Sequence, residues 1–142
     1  MARRDTYIQL LKSVPLFSRL SKKDLNEVAR LTTDLFFTEG DQLIVEGDAR
    51  TSSMLIILEG EAVVRKKGRK IATLKPGDFA GELAVLTGAP RNASVIAAGD
   101  VRALVLDRRE IMSLIDNVPR ITKNLLLAVV DRLATVDTKS VQ

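Results

Sequence analysis

The 142-residue chain contains no cysteine and no histidine. Disulfides, thiol nucleophiles, zinc fingers and imidazole acid–base chemistry are therefore excluded. Long apolar runs are also missing: the longest, Leu125 to Val130, is six residues, against the ~18 needed to cross a bilayer. No apolar signal core follows Met1-Ala2-Arg3-Arg4. A soluble, cytoplasmic protein with no membrane partner is expected. Nor is charge of one sign concentrated anywhere. The net charge is +4, but residues 1–40 carry 7 basic and 5 acidic groups, 41–99 carry 8 and 7, and 100–142 carry 7 and 6. Direct nucleic-acid binding, which favours a concentrated excess, is not expected. The six basic residues from Arg65 to Lys75 have no aromatic among them, so they read as a solvated hairpin tip.

What is present is a globular composition, 46% hydrophobic and 28% charged, of a length suited to one domain. The pattern predicts a helical lead-in over 1–32, a β region over 33–107, C-terminal helices over 108–137 and a tail over 138–142. Asp5 or Thr6 is placed to cap a first helix that Pro15 ends. Ser21 with Asp24 marks a second helix start, and Asp107 with Glu110 a third. Between 33 and 107, seven short β-branched and aliphatic runs alternate with turn residues, and all eight glycines fall between residues 40 and 99. This grammar predicts an antiparallel sandwich, barrel or roll. The helix after Pro119 carries two apolar seams, Thr122-Leu126-Val129-Leu133-Val136 and Ile121-Leu125-Ala128. One fits the core; the other fits a ligand or a partner, including a second copy.

The most informative segment runs from Gly77 to Val95, GDFAGELAVLTGAPRNASV. Good helix formers from Leu83 to Leu86, with Gly88 as a stop, predict a short helix opening at Gly81. The amides at such a start favour an anion. Glu82 and Arg91 are spaced to bring a buried carboxylate and a guanidinium to this turn, with no second acid, histidine or metal ligand beside them. The pair suits holding a sugar phosphate rather than cleaving one, so catalytic and metal roles are not expected.

In order along the chain come Val14-Pro15-Leu16-Phe17, Glu46-Gly47-Asp48, Ile57-Leu58-Glu59-Gly60-Glu61, Gly81-Glu82-Leu83-Ala84 and Pro90-Arg91-Asn92-Ala93-Ser94-Val95. Over residues 7–137 this set resembles the cyclic nucleotide-binding domain of protein kinase A regulatory subunits, cyclic nucleotide-gated channels and catabolite activator proteins. The resemblance implies a mainly β protein with flanking α-helices: an antiparallel eight-stranded, jelly-roll-like β-roll, a short phosphate-binding cassette helix and two C-terminal helices. It implies that Glu82 and Gly81 hold the ribose 2′-hydroxyl. Arg91 would pair with the cyclic phosphate, and the N–H groups of Ala84 and Asn92 would complete its cradle. Leu83 and Ala93 fall in the same motifs, Leu74 would lie beneath the base, and Leu125 or Leu126 would cap it. At position 92 the family often has alanine or serine for cAMP and threonine for cGMP. Asn92 offers both a donor and an acceptor, and the absence of threonine favours cAMP, with cGMP as the other candidate. The expected function is a stand-alone cyclic nucleotide receptor domain that signals to a protein partner and is monomeric or dimeric through its last helix. The alternatives are a β-roll interaction module that no longer binds nucleotide and, with least support, a nucleotide hydrolase or transferase.

Overall fold

The computed structural model describes residues 2–141, with side chains described for 6–134. It contains five α-helices: α1 (Ala2–Lys12), α2 (Lys22–Leu31), α3 (Glu82–Thr87), α4 (Arg108–Asn117) and α5 (Pro119–Val141). A 3-10 turn spans Pro15–Phe17. The eight strands are β1 (Thr33–Phe37), β2 (Gln42–Ile44), β3 (Met54–Glu59), β4 (Ala62–Lys66), β5 (Arg69–Leu74), β6 (Phe79–Ala80), β7 (Ser94–Ala97) and β8 (Val101–Leu106). Seven of these match the apolar runs in the sequence. The eighth, β6, is two residues long, too short to show the period-two alternation that reveals a strand.

Contacts divide the chain into two compact units, residues 30–112 and residues 1–29 with 113–142. The first is the roll. Its strands form two four-stranded antiparallel sheets in the orders β1-β8-β3-β6 and β2-β7-β4-β5. The inner faces meet through Ile44, Leu55, Ile57, Ala62, Leu74, Val95, Ala97, Val101 and Ala103. Val101, Ala103, Leu55 and Ile57 alternate along β8 and β3, as a pleated strand requires. Leu104 and Leu106, on the other face of β8, are also buried. On β8, Arg102 reaches Asp34 through Nη2 at 2.6 Å and Nε at 3.0 Å, reaches Glu59 through Nη1 at 3.1 Å, and lies 5.5 Å from the Phe36 ring centre. Those carboxylates raise the Arg102 pKa above its ordinary value.

In the helical unit, α5 packs on the Pro15–Phe17 turn. There the Asn124 Nδ2 donates to the carbonyls of Leu16 (2.9 Å) and Ser18 (3.0 Å). The Ile121-Leu125 seam is buried, whereas Leu126 and Leu133 of the other seam are exposed. Val136 lies outside the described side chains. Two boundaries differ from the sequence expectation. Helix α1 begins at Ala2, so Thr6 lies within it instead of capping it; the Asp5 side chain lies outside the described residues. Helix α5 continues to Val141, making 138–141 helical instead of a patternless tail. Only the side-chain pattern stops at 137, because a backbone ladder can continue without an apolar face.

The helix-start signals at Ser21 and Asp107 hold. The Asp24 N–H donates to the Ser21 Oγ at 3.1 Å. At α4 the box is reciprocal: the Glu110 N–H donates to Asp107 Oδ1 (2.8 Å) and the Asp107 N–H to Glu110 Oε1 (2.9 Å). Asp107→Ala is expected to lower unfolding stability by about 1 kcal/mol, measured by urea denaturation. An unchanged midpoint would show that the box contributes nothing.

Candidate anion site at Arg91

Strand β6 delivers the chain to Gly81, which turns it into α3 with φ 89° and ψ 4°. A side chain is excluded there for two reasons. The backbone is left-handed, and a Cβ would stand 2.6 Å from the Ser53 carbonyl oxygen and 2.9 Å from Arg91 Nη1. Glycine thus lets the start of α3 close directly over the guanidinium. Helix α3 stops at Gly88, whose N–H donates to the Ala84 carbonyl at 2.8 Å.

The chain then reaches Arg91, the one charged side chain among the described residues that is buried, at 5% exposure. Its backbone is clamped by the Glu46-Gly47-Asp48 turn. The Arg91 N–H donates to the Asp48 carbonyl (2.9 Å), and the Gly47 N–H donates to the Arg91 carbonyl (2.8 Å). The side chain is oriented by hydroxyls: Nε donates to Thr51 Oγ1 at 3.3 Å and Nη2 to Ser53 Oγ at 3.4 Å. Thr51 in turn donates to Asp48 Oδ2 at 3.1 Å, while Asp48 Oδ1 accepts the Arg50 N–H at 2.8 Å. Nη1 is buried and has no hydrogen-bond partner.

The electrostatics follow from these contacts. Burial lowers the Arg91 pKa from its ordinary value, and the Asp48 charge partly offsets this; an arginine remains charged throughout. Asp48 is held below its ordinary 3.8, first by the Arg50 backbone N–H, against an opposing effect of burial, and then by Thr51 and Arg50 side-chain contacts. The acid whose charge bears on Arg91 is therefore Asp48. Glu82, expected to be a buried carboxylate, is half-buried on the first turn of α3.

The other expected residues fall at different depths. Ala84 and Ala93 are buried, Asn92 is exposed, and Leu83 is 47% exposed. Leu74 is buried within the roll core. Two residues along β5, Ala72 lies on the same face, opposite Val64, and is exposed. Solvent therefore reaches the inner face of the sheet at Ala72, one step beyond Leu74. Thr51, Ser53 and the Asp48 carboxylate were not identified as site residues from sequence. Thr51 lies 40 positions from Arg91, and the only local hint is the hydroxyl run Thr51-Ser52-Ser53 after the turn. Among the described residues no group of three or more acids is placed to hold a metal.

The family model for the cyclic nucleotide-binding domain matches residues 35–118. The chain belongs to the cyclic nucleotide-binding domain family. The eight-stranded roll expected from its motifs is the fold observed. This domain is 37% identical over 114 residues to a cAMP-dependent protein kinase regulatory subunit of Hypocrea atroviridis, a match covering 80% of this chain and 24% of that one. A solved structure of PKAR CBD2 bound to Sp-2Cl-cAMPS matches with a TM-score of 0.80 and 25% identity, over 97% of this chain and 91% of the other. The regulatory subunit of a cAMP-independent protein kinase A from Trypanosoma cruzi, bound to guanosine, matches with a TM-score of 0.66 and 30% identity, over 75% and 38% of the two chains. The domain spans about a quarter of the length of the curated relatives it matches. Among the described residues, no helix is long and apolar enough to cross a membrane.

Gly81→Ala is expected to destabilise this domain by about 1–3 kcal/mol and to displace the guanidinium. Thermal unfolding with and without ligand measures both effects. A variant with unchanged stability and affinity would show that the close approach is dispensable.

Proposed function

We propose that this domain is a cytoplasmic receptor for a cyclic nucleotide, with cAMP favoured over cGMP. The observation that carries the reading is Arg91 Nη1: charged, buried and without an acceptor. Leaving such a donor unmet costs about 1–3 kcal/mol or more, and an anionic oxygen at that position recovers it. A cyclic phosphate carries one negative charge and suits one guanidinium plus neutral amide donors. In this reading the backbone N–H groups of Ala84 and Asn92 complete the phosphate cradle, and Gly81 with Glu82 reads the ribose 2′-hydroxyl. Leu83 and Ala93 line the same turn. The base enters along the inner face of β5, over Leu74 and Ala72.

The magnitudes suffice. Hydrogen bonds to charged groups contribute about 1.5–3 kcal/mol each, and apolar burial adds ~25 cal/mol per Å2. Micromolar affinity needs about 8 kcal/mol. A neutral nucleoside, such as the guanosine bound by the T. cruzi relative, would leave Nη1 unanswered, so the orphan donor favours the phosphate ester. We further propose that residues 1–137 work as one module in which ligand binding re-packs the last helix against the base, with Leu125 or Leu126 as the cap. That change would signal to a protein partner, with the domain monomeric or dimeric through the exposed seam of α5. Its size is limited by the ligand's preference between the two arrangements. No enzymatic step is proposed.

Calorimetric titration with cAMP, cGMP and guanosine tests the reading. Micromolar binding of a cyclic nucleotide, and at least ~30-fold weaker binding by Arg91→Ala, is expected. Absence of binding by both cyclic nucleotides at hundreds of micromolar would favour an interaction module that has lost its ligand. The pH dependence follows from Asp48. Its pKa is depressed on folding, so its contribution is present above the ordinary 3.8 and lost only as pH falls through the lowered value. With no histidine in the chain, affinity is expected to change less than about twofold between pH 6 and 8. A larger change would mean that another titrating group governs the site.

A further inference from the structure

The nucleotide reading leaves the basic hairpin between β4 and β5 unexplained. Five of the six residues from Arg65 to Lys70 are cations, and all six are exposed. The turn is rigid rather than trailing: Lys67 and Gly68 both have positive φ, 52° and 78°, as two-residue hairpin turns require. The Lys67 N–H donates to Glu46 Oε1 at 2.9 Å. Two like-charged pairs face each other across the ladder, Arg65 with Lys70 and Lys66 with Arg69. Such pairs weaken a hairpin, and an apposed anionic surface would relieve the repulsion.

Two further features select the partner. The register shift after Val64 leaves Ile71 without a cross-strand partner at the base of the cationic tip, and this side chain is 54% exposed. Val45, next to the Glu46 that fixes the turn, is 46% exposed. Lying along the surface, a cationic hairpin with aliphatic side chains beside it presents charge to anionic headgroups and apolar groups to the interface. Nucleic acid fits less well, because the hairpin has no aromatic side chain on which a base could stack.

We propose that the β4–β5 hairpin docks the protein reversibly on a bilayer surface rich in anionic phospholipid. The cations face the headgroups, and Ile71 and Val45 rest at the interface. None of its side chains is among those assigned to the nucleotide.

Co-sedimentation of the full chain with vesicles tests the proposal. The vesicles are pure phosphatidylcholine, or phosphatidylcholine with roughly one-third phosphatidylserine, at ~0.1 M salt, where surface charge is only partly screened. Binding is expected on the anionic vesicles alone, falling as salt rises. Lys66→Glu with Lys70→Glu should lower partitioning at least about twentyfold, given about fivefold per cation. Ile71→Ser should lower it several-fold. Ile71→Ser should keep the wild-type unfolding midpoint, because its side chain is exposed, and the double charge reversal, which turns both like-charged pairs into opposite ones, should not lower it. Arg91→Ala should bind vesicles like wild type while losing the cyclic nucleotide. The proposal is overturned by no binding to anionic vesicles, or by binding that either hairpin variant or high salt leaves intact. Loss of vesicle binding in Arg91→Ala, or displacement from vesicles by equimolar single-stranded RNA, would also overturn it.

Discussion

A guanidinium withdrawn from water has five N–H donors to satisfy and a charge to balance, and the burial of Arg91 imposes both demands on the residues around it. Gly81 must lack a side chain so that the start of α3 can close over Nη1. Thr51 and Ser53 must present hydroxyl oxygens to Nε and Nη2. The turn carrying Asp48 must grip the Arg91 backbone from both sides while its carboxylate holds Thr51 in place. The donors are thereby met unevenly: two nitrogens have neutral acceptors at 3.3 and 3.4 Å, and the third has none. In a low-dielectric setting an unmet charged donor is costly, which is the physical basis of the proposed function.

Arg102 shows the opposite arrangement in the same roll. It is saturated by Asp34 and Glu59 and covered by Phe36. The two carboxylates leave Arg102 no need of an external anion, so its role is to tie β1 and β3 to β8. Both arginines follow the same electrostatic rules, and the acceptors within reach separate a fully paired cation from one with an unmet donor.

The roll makes the uneven site possible. Two antiparallel sheets pack a continuous core beneath it, so the loop that carries Asp48 and Thr51 is anchored at both ends by strands β2 and β3, and Gly81 is held between β6 and α3. Strand β6 matters out of proportion to its length. Pairing Phe79 and Ala80 with Ile56 and Leu55 of β3 fixes the direction from which the chain enters Gly81. The outer parts of the same sheets remain free for other duties, and the cationic β4–β5 tip is the clearest instance.

The sequence determined the elements whose causes are local. Capping residues at Ser21 and Asp107, alternating apolar runs and glycine-marked turns specify helix starts and strands through neighbours a few positions away, and Gly81 and Gly88 mark the bounds of α3. Tertiary structure decided what depends on distant segments meeting. It placed the Asp48 carboxylate where its charge bears on Arg91. It recruited Thr51 and Ser53 from some 40 positions upstream, paired a two-residue β6, and exposed Ala72 while burying Leu74. Local propensities act along the chain, whereas hydrogen-bond satisfaction of a buried charge is settled only by which side chains packing brings within about 3.5 Å.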